Sequence, residues 1–330
     1  MLSSPRAVGI AAAVVTVAIW TGFIVIGRAS AGMTLLPFDL ALLRIAGASV
    51  VLLPWGWWLA RRQGGSSSLG GFSPLPLRPT VTAGVFGGLV YAILCYAGFF
   101  FAPAAHASVL MPGSLPLWTA LLAAVLLGDR ITPARALGLA CIVAGDVLVG
   151  GAGLLSAFRG GEVWKGDLIF MSAAFCWSAY SVLARRFGLD PVRATIAITV
   201  FAFVIYVPAF ALLAGSGLLP TRLAQAPWGE IAFQALFQGV GSVVISGITF
   251  VQMVRAFGPV KSTMITALVP GLSALGAVAL LGEPLGWNLL AGLALVTAGI
   301  LFGVRAVRPN TPDSIAARAC PASAEGQKHS

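Results

Sequence analysis

The residues that could do chemistry in this chain are few, and most stand inside apolar runs. Arg44 lies about eight residues into the run 36–59, roughly 12 Å below one end at 1.5 Å per helical residue. An ionised group at that depth costs about 2.5–3.5 kcal/mol on insertion scales, so it is either functional or paired. Arg44 therefore either faces water and attracts an anionic or zwitterionic solute, or snorkels to the headgroups or pairs with Asp39 or helix carbonyls. Trp20 and Trp177 sit mid-run, too deep for an interfacial belt, and Tyr180 follows Trp177 by about one turn. They and Tyr91 either line a cavity, where a ring stacks on a solute, or pack against a neighbour. Gln234 and Gln238 are four apart, on one helical face, with Ser242, Ser246 and Thr249 on or near it. Such a stripe either walls a wet crevice or bonds to another helix.

Two further groups could carry a proton. His106 opens an apolar run, and it is either a protonatable gate or an interfacial histidine bonded to a turn. Asp146, near one end of its run, is either a proton-binding carboxyl or an interfacial acid. Pro116 and Pro270 each remove a backbone donor inside a helical run, making a hinge or a static bend. Nothing assembles a nucleophile, base and orienting group, so no catalytic residue is expected. The four cysteines, Cys95, Cys141, Cys176 and Cys320, lack metal spacing, and neither a metal nor a cofactor is expected.

These residues are held by a chain that needs lipid as its solvent. Of 330 residues, 58% are hydrophobic and 9% charged, far below the roughly 25% charged of a soluble chain. Ten apolar runs approach the 20 or so residues that cross a bilayer: 8–27, 36–59, 81–101, 105–127, 134–150, 166–184, 192–214, 231–251, 260–281 and 287–304. The first is too long for a typical signal h-region and is read as an uncleaved span. The connection 60–80 holds Gly64, Gly65 and three serines and reads as a surface loop, and 306–330 reads as a disordered tail. The net charge of +10 belongs to loops, not to a nucleic-acid face, because no stretch interleaves basic and aromatic residues on a polar side. With the N-terminus cytoplasmic, 15 basic residues fall inside and 4 outside (Arg28, Arg159, Lys165 and Arg222). This asymmetry places both termini in the cytoplasm of an inner-membrane protein.

The chain also repeats. Residues 108–145 align without gaps on 262–299, an offset of 154, with 13 of 38 positions identical. Pro116 falls on Pro270, Leu126-Leu127-Gly128 on Leu280-Leu281-Gly282, and Asp129 on Glu283. At an offset of 157, Trp20 falls on Trp177 and Arg28 on Arg185. Each half, 1–150 and 151–305, then holds five spans. An odd number makes the second half enter from the opposite side, so the expected fold is an all-α integral membrane protein of ten helices in two inverted five-helix repeats.

At Leu115-Pro116 to Leu127-Gly128-Asp129-Arg130, and again at Val269-Pro270 to Leu281-Gly282-Glu283-Pro284, the chain resembles the drug/metabolite transporter superfamily, specifically its EamA-type permeases. Trp20 and Arg44 also look like the family pattern. Asp129 stands where the first half more commonly carries Glu. The resemblance spans about residues 8–304. It implies a gradient-driven permease, often an exporter of amino acids, metabolites or toxic compounds. Its cavity would lie between helices 1–4 and 6–9, with helices 5 and 10 peripheral. No G-x-x-x-x-G-K-[ST] sequence is present, so coupling would come from a proton or a counter-solute. The expected function is a secondary transporter of a small solute, with export favoured and the lipid bilayer as its other partner. A non-transporting helper subunit or a membrane-embedded enzyme is the alternative.

Overall fold

The computed structural model describes residues 5–63, 67–157 and 161–305. Positions 64–66 of the expected loop, Arg159 and the tail 306–330 lie outside them. In lipid each backbone N–H and C=O must bond within its own segment, so apolar runs become helices. The helices are α1 (Pro5–Ser30), α2 (Pro37–Gln63), α3 (Leu77–Phe99), α4 (Ala104–Leu127) and α5 (Pro133–Ala157). They continue as α6 (Val163–Arg186), α7 (Pro191–Gly215), α8 (Trp228–Phe257), α9 (Leu268–Leu281) and α10 (Trp287–Arg305). Eight, α1 to α8, contain stretches long and apolar enough to cross a membrane by length and composition. The two that close the chain are shorter apolar helices.

Local chemistry sets the ends. Proline, preset for helical φ, begins α2, α5 and α7. Asp190 caps α7 by accepting from the N–H groups of Val192 and Arg193 at 3.1 and 3.0 Å. Gly128 and Gly282 end α4 and α9 in the left-handed conformation, φ 71° and 67°. The next residue's N–H then reaches back, Asp129 to the Ala123 carbonyl and Glu283 to that of Ala277, both at 3.3 Å. Each glycine thus fixes an acidic residue just beyond a helix end.

The interiors depart from the expected helices in two ways. Helical backbone continues beyond Phe257 to Thr266 and restarts after a turn at Ala267, where 260–281 was expected as one run. Pro270 lies in the first turn of the restarted helix, where it has no N–H to return to the preceding turn. Pro116 sits equally early in the Leu115–Leu127 part of α4, just after Ser114. Both prolines mark a restart rather than the middle of an unbroken helix. Second, the helix widens to π geometry at Gly84–Val90 of α3, Val109–Gly113 of α4 and Ala235–Ile245 of α8. Such wide turns commonly occur at functional sites.

Backbones approach closely where glycine allows it. A Cβ on Gly145 of α5 would stand 2.6 Å from the Gly292 carbonyl oxygen of α10, and one on Gly299 2.5 Å from that of Gly138. In the core, Phe23, Phe99 and Phe170 are 7%, 0% and 0% exposed and meet edge-on, Phe99 lying 6.3 Å from Phe23 and 5.0 Å from Phe170.

Candidate functional site

Above that aromatic cluster lies a cavity of about 380 Å³ between α1, α2, α3, α4, α6, α7, α8 and the start of α9. Ligand sites of this volume are common, typically apolar with a few placed polar groups. All three π stretches contribute walls, through Gly87 and Gly88, Met111 and Pro112, and Ser242 and Val243. The lining runs from Phe23 and Ile24, toward the C-terminal end of α1, to Pro191, the first residue of α7.

Arg44 brings the cationic charge of this wall. Its Nη1 donates to Ser242 Oγ at 2.8 Å and to the Gln238 carbonyl at 3.4 Å. Its guanidinium carbon stands 5.2 Å from the centroid of the Phe23 ring. Asp39, the partner considered from sequence, is engaged elsewhere. It accepts from the N–H groups of Leu36 and Arg222, each at 3.0 Å, and from the Thr221 hydroxyl. Among the described residues no carboxylate pairs with Arg44.

Aromatic rings form the rest of the frame. Trp20 stacks on Phe250 with centroids 5.4 Å apart and planes 22° apart. Across the cavity Trp177 meets Tyr91 at 4.8 Å and Tyr180 at 5.2 Å. Tyr180 rests where a Cβ on Gly87 would lie 2.6 Å from its ring.

The structure therefore gathers Trp20, Arg44, Tyr91, Trp177 and Tyr180 around one space. It does not bring Gln234 and Gln238 into the lining. Both side chains are buried, and Gln234 donates to Ser30 Oγ at 2.7 Å. Gln238 lies in the π stretch and Gln234 just before it, and it is the main-chain carbonyl of Gln238, not its side chain, that shares the Arg44 guanidinium with Ser242. His106 and Asp146 also stand outside the lining. His106 Nδ1 lies 2.8 Å from Asp167 Oδ1, while both oxygens of buried Asp146 lack a hydrogen-bond partner among the described residues. Pro116 and Pro270 are outside it, whereas Pro112 and Pro191 contribute. Phe23, Phe250, Thr195 and Thr199 are lining residues that sequence reasoning missed. For Phe23 a signal existed: the offset of 157 that matches Trp20 with Trp177 also matches Phe23 with Tyr180.

Each end of the bundle carries an ion pair. At one, Arg28 of α1 meets Glu283 beyond α9, Nε to Oε1 at 3.3 Å. Arg28 also donates to the Phe99 carbonyl at 2.7 Å. Glu283 accepts from the first N–H groups of α4, those of Ala104 and Ala105, both at 3.0 Å. At the other end Arg185 of α6 grips both oxygens of Asp129, beyond α4, at 2.7 Å.

A bundle of apolar helices around a solute-sized cavity with a charged wall defines a multi-pass membrane protein of the transport class. The EamA-like transporter family matches twice, over residues 7–151 and 164–305, and the chain belongs to that family. It is 27% identical over 231 residues to the uncharacterized transporter YyaM of Bacillus subtilis, covering 69% of this chain and 73% of that one. It is 28% identical over 221 residues to the aromatic amino acid exporter YddG of Ancylobacter novellus, covering 63% and 72%. A solved crystal structure superposes with a TM-score of 0.54 at 25% identity, covering 92% of this chain and 96% of the other.

Proposed function

We propose that this protein is a secondary transporter that moves a small solute across the inner membrane by alternating access, in the direction of export. The reading takes the chain as ten spans in two inverted units, 1–150 and 151–305, with both termini cytoplasmic. The observation that carries it is a cavity within the bundle whose lining runs from Pro191, at the start of α7, to Phe23, which belongs to the buried aromatic cluster. In this reading that cluster is the floor, on the Arg28–Glu283 side, and the opening is on the Arg185–Asp129 side. The basic excess makes the open side cytoplasmic, so the conformation is inward-facing. Breaking the first ion pair while the Arg185–Asp129 end closes over the cavity would expose it to the opposite face. Arg44 and the rings would hold the solute, while Pro116 and Pro270, at helix restarts, would be pivots. His106 with Asp167, and Asp146, which has no hydrogen-bond partner among the described residues, are the groups through which a coupling proton would act. The exporter relative named for aromatic amino acids supports both export and an aromatic solute.

Purified protein in liposomes tests this directly. Solute-loaded vesicles should release an aromatic solute in a protein-dependent manner, and Arg44→Ala should lower that flux at least about tenfold while the protein stays folded in the bilayer. Unchanged flux in the variant discards Arg44. Absence of flux for every solute favours the helper-subunit reading.

A further inference from the structure

We infer that the cavity selects monoanionic aromatic acids over the corresponding zwitterionic amino acids. The inference rests on the transport reading for its site and adds the charge of the solute. Among the described residues the lining carries one formal charge, that of Arg44, and contains no Asp, Glu or His. Its guanidinium has a hydroxyl, a carbonyl and a ring face as neighbours, and among the described residues no carboxylate. A cation held in low dielectric without a counter-charge is costly, and an anion that enters removes that cost. A carboxylate of the solute against Arg44 leaves the loaded site neutral. The ring of the same solute then lies between Trp20–Phe250 on one wall and Trp177–Tyr180 on the other, where offset or edge-on contacts are favourable.

A zwitterion brings an ammonium as well. That group would meet hydroxyls such as Ser246 and Thr199 and ring faces, but no carboxylate of the lining. The loaded site would retain a net positive charge. Aromatic faces return part of the loss through cation–π attraction, but less than a paired carboxylate gives.

Matched probes isolate the ammonium. Binding to the purified full-length protein is measured calorimetrically for 3-phenylpropanoate, phenylalanine and phenethylamine, which share one ring. The acid should bind at least about tenfold more tightly than phenylalanine, and the amine weakest of the three. Arg44→Gln should abolish the preference, and Arg44→Lys, which keeps the charge, should retain part of it. Equal or tighter binding of phenylalanine overturns the inference, as does absence of binding by the acid. Flux is read separately with 2-phenylethanesulfonate, which does not cross bilayers as a neutral acid. Tight binding of the acids without sulfonate flux sinks the carrier reading and leaves the charge selection standing. Flux of phenylalanine exceeding that of the sulfonate, with tighter phenylalanine binding, does the reverse.

Discussion

The two ends of the bundle use the same pair of residue types in different settings. At one end Glu283 is 11% exposed and serves three donors, the Arg28 guanidinium and two N–H groups at the start of α4. At the other, Asp129 is 28% exposed, its Arg185 partner 59%, and the guanidinium is the partner seen at its carboxylate. The acids occupy equivalent places after left-handed glycines, so local backbone does not explain the difference. Packing does. Where α1, α4 and α9 meet, water is largely excluded and each hydrogen bond to the carboxylate has no solvent substitute. At the more exposed Arg185 end water competes for both partners and the pair holds weakly.

The comparison can be broken most severely at Glu283. Glu283→Ala leaves Arg28 half-buried without its partner and strips two N–H groups of their acceptor. We expect a loss of about 2–3 kcal/mol in reversible unfolding in micelles, with a larger share of molecules open toward the Arg28 side. Thermal melts and thiol labelling of a cysteine placed at Phe99 would read both effects, and an unaltered melt would show that the buried acid holds nothing. Next in size is charge reversal. Exchanging Arg185 and Asp129 should preserve most of the flux, because each faces chiefly the other. Exchanging Arg28 and Glu283 should not, because an arginine cannot accept from Ala104 and Ala105. Equal rescue at both ends would erase the distinction. The smallest effect belongs to Asp129→Ala, which should cost less than about 1 kcal/mol. Its signature is instead a faster return of the cavity to solvent on the Arg185 side, measured by the same labelling.

The sequence carried the outline of this arrangement through residues with few structural alternatives. An arginine inside an apolar run, tryptophans at matching depth, and glycine before an acid at two helix ends each narrow the backbone or the burial. The ion pairs were half visible. Arg28 matched Arg185 and Asp129 matched Glu283 in the repeat, yet which acid met which base depends on packing between elements far apart in the chain. The π stretches were not visible. Widening a turn shifts each φ and ψ slightly and demands no particular residue type, so Ala235–Ile245 reads like ordinary helix. Gln234 and Gln238 show a different limit: fourfold spacing puts them on one face, but does not say whether that face meets the cavity or a neighbouring helix, and the Gln234 side chain meets Ser30. The short α9 was hidden for a related reason: apolar composition is the same on both sides of the turn at Ala267.

The seam between α5 and α10 has a consequence for the surrounding lipid. Gly145 against Gly292, and Gly299 against Gly138, bring main chain close to main chain, with Val149, Val296 and Ile142 filling the space beside them. An acyl tail is wider than the gap that remains. Hydrocarbon is therefore shut out along that line, and the bundle can flex elsewhere without the bilayer wicking into it there.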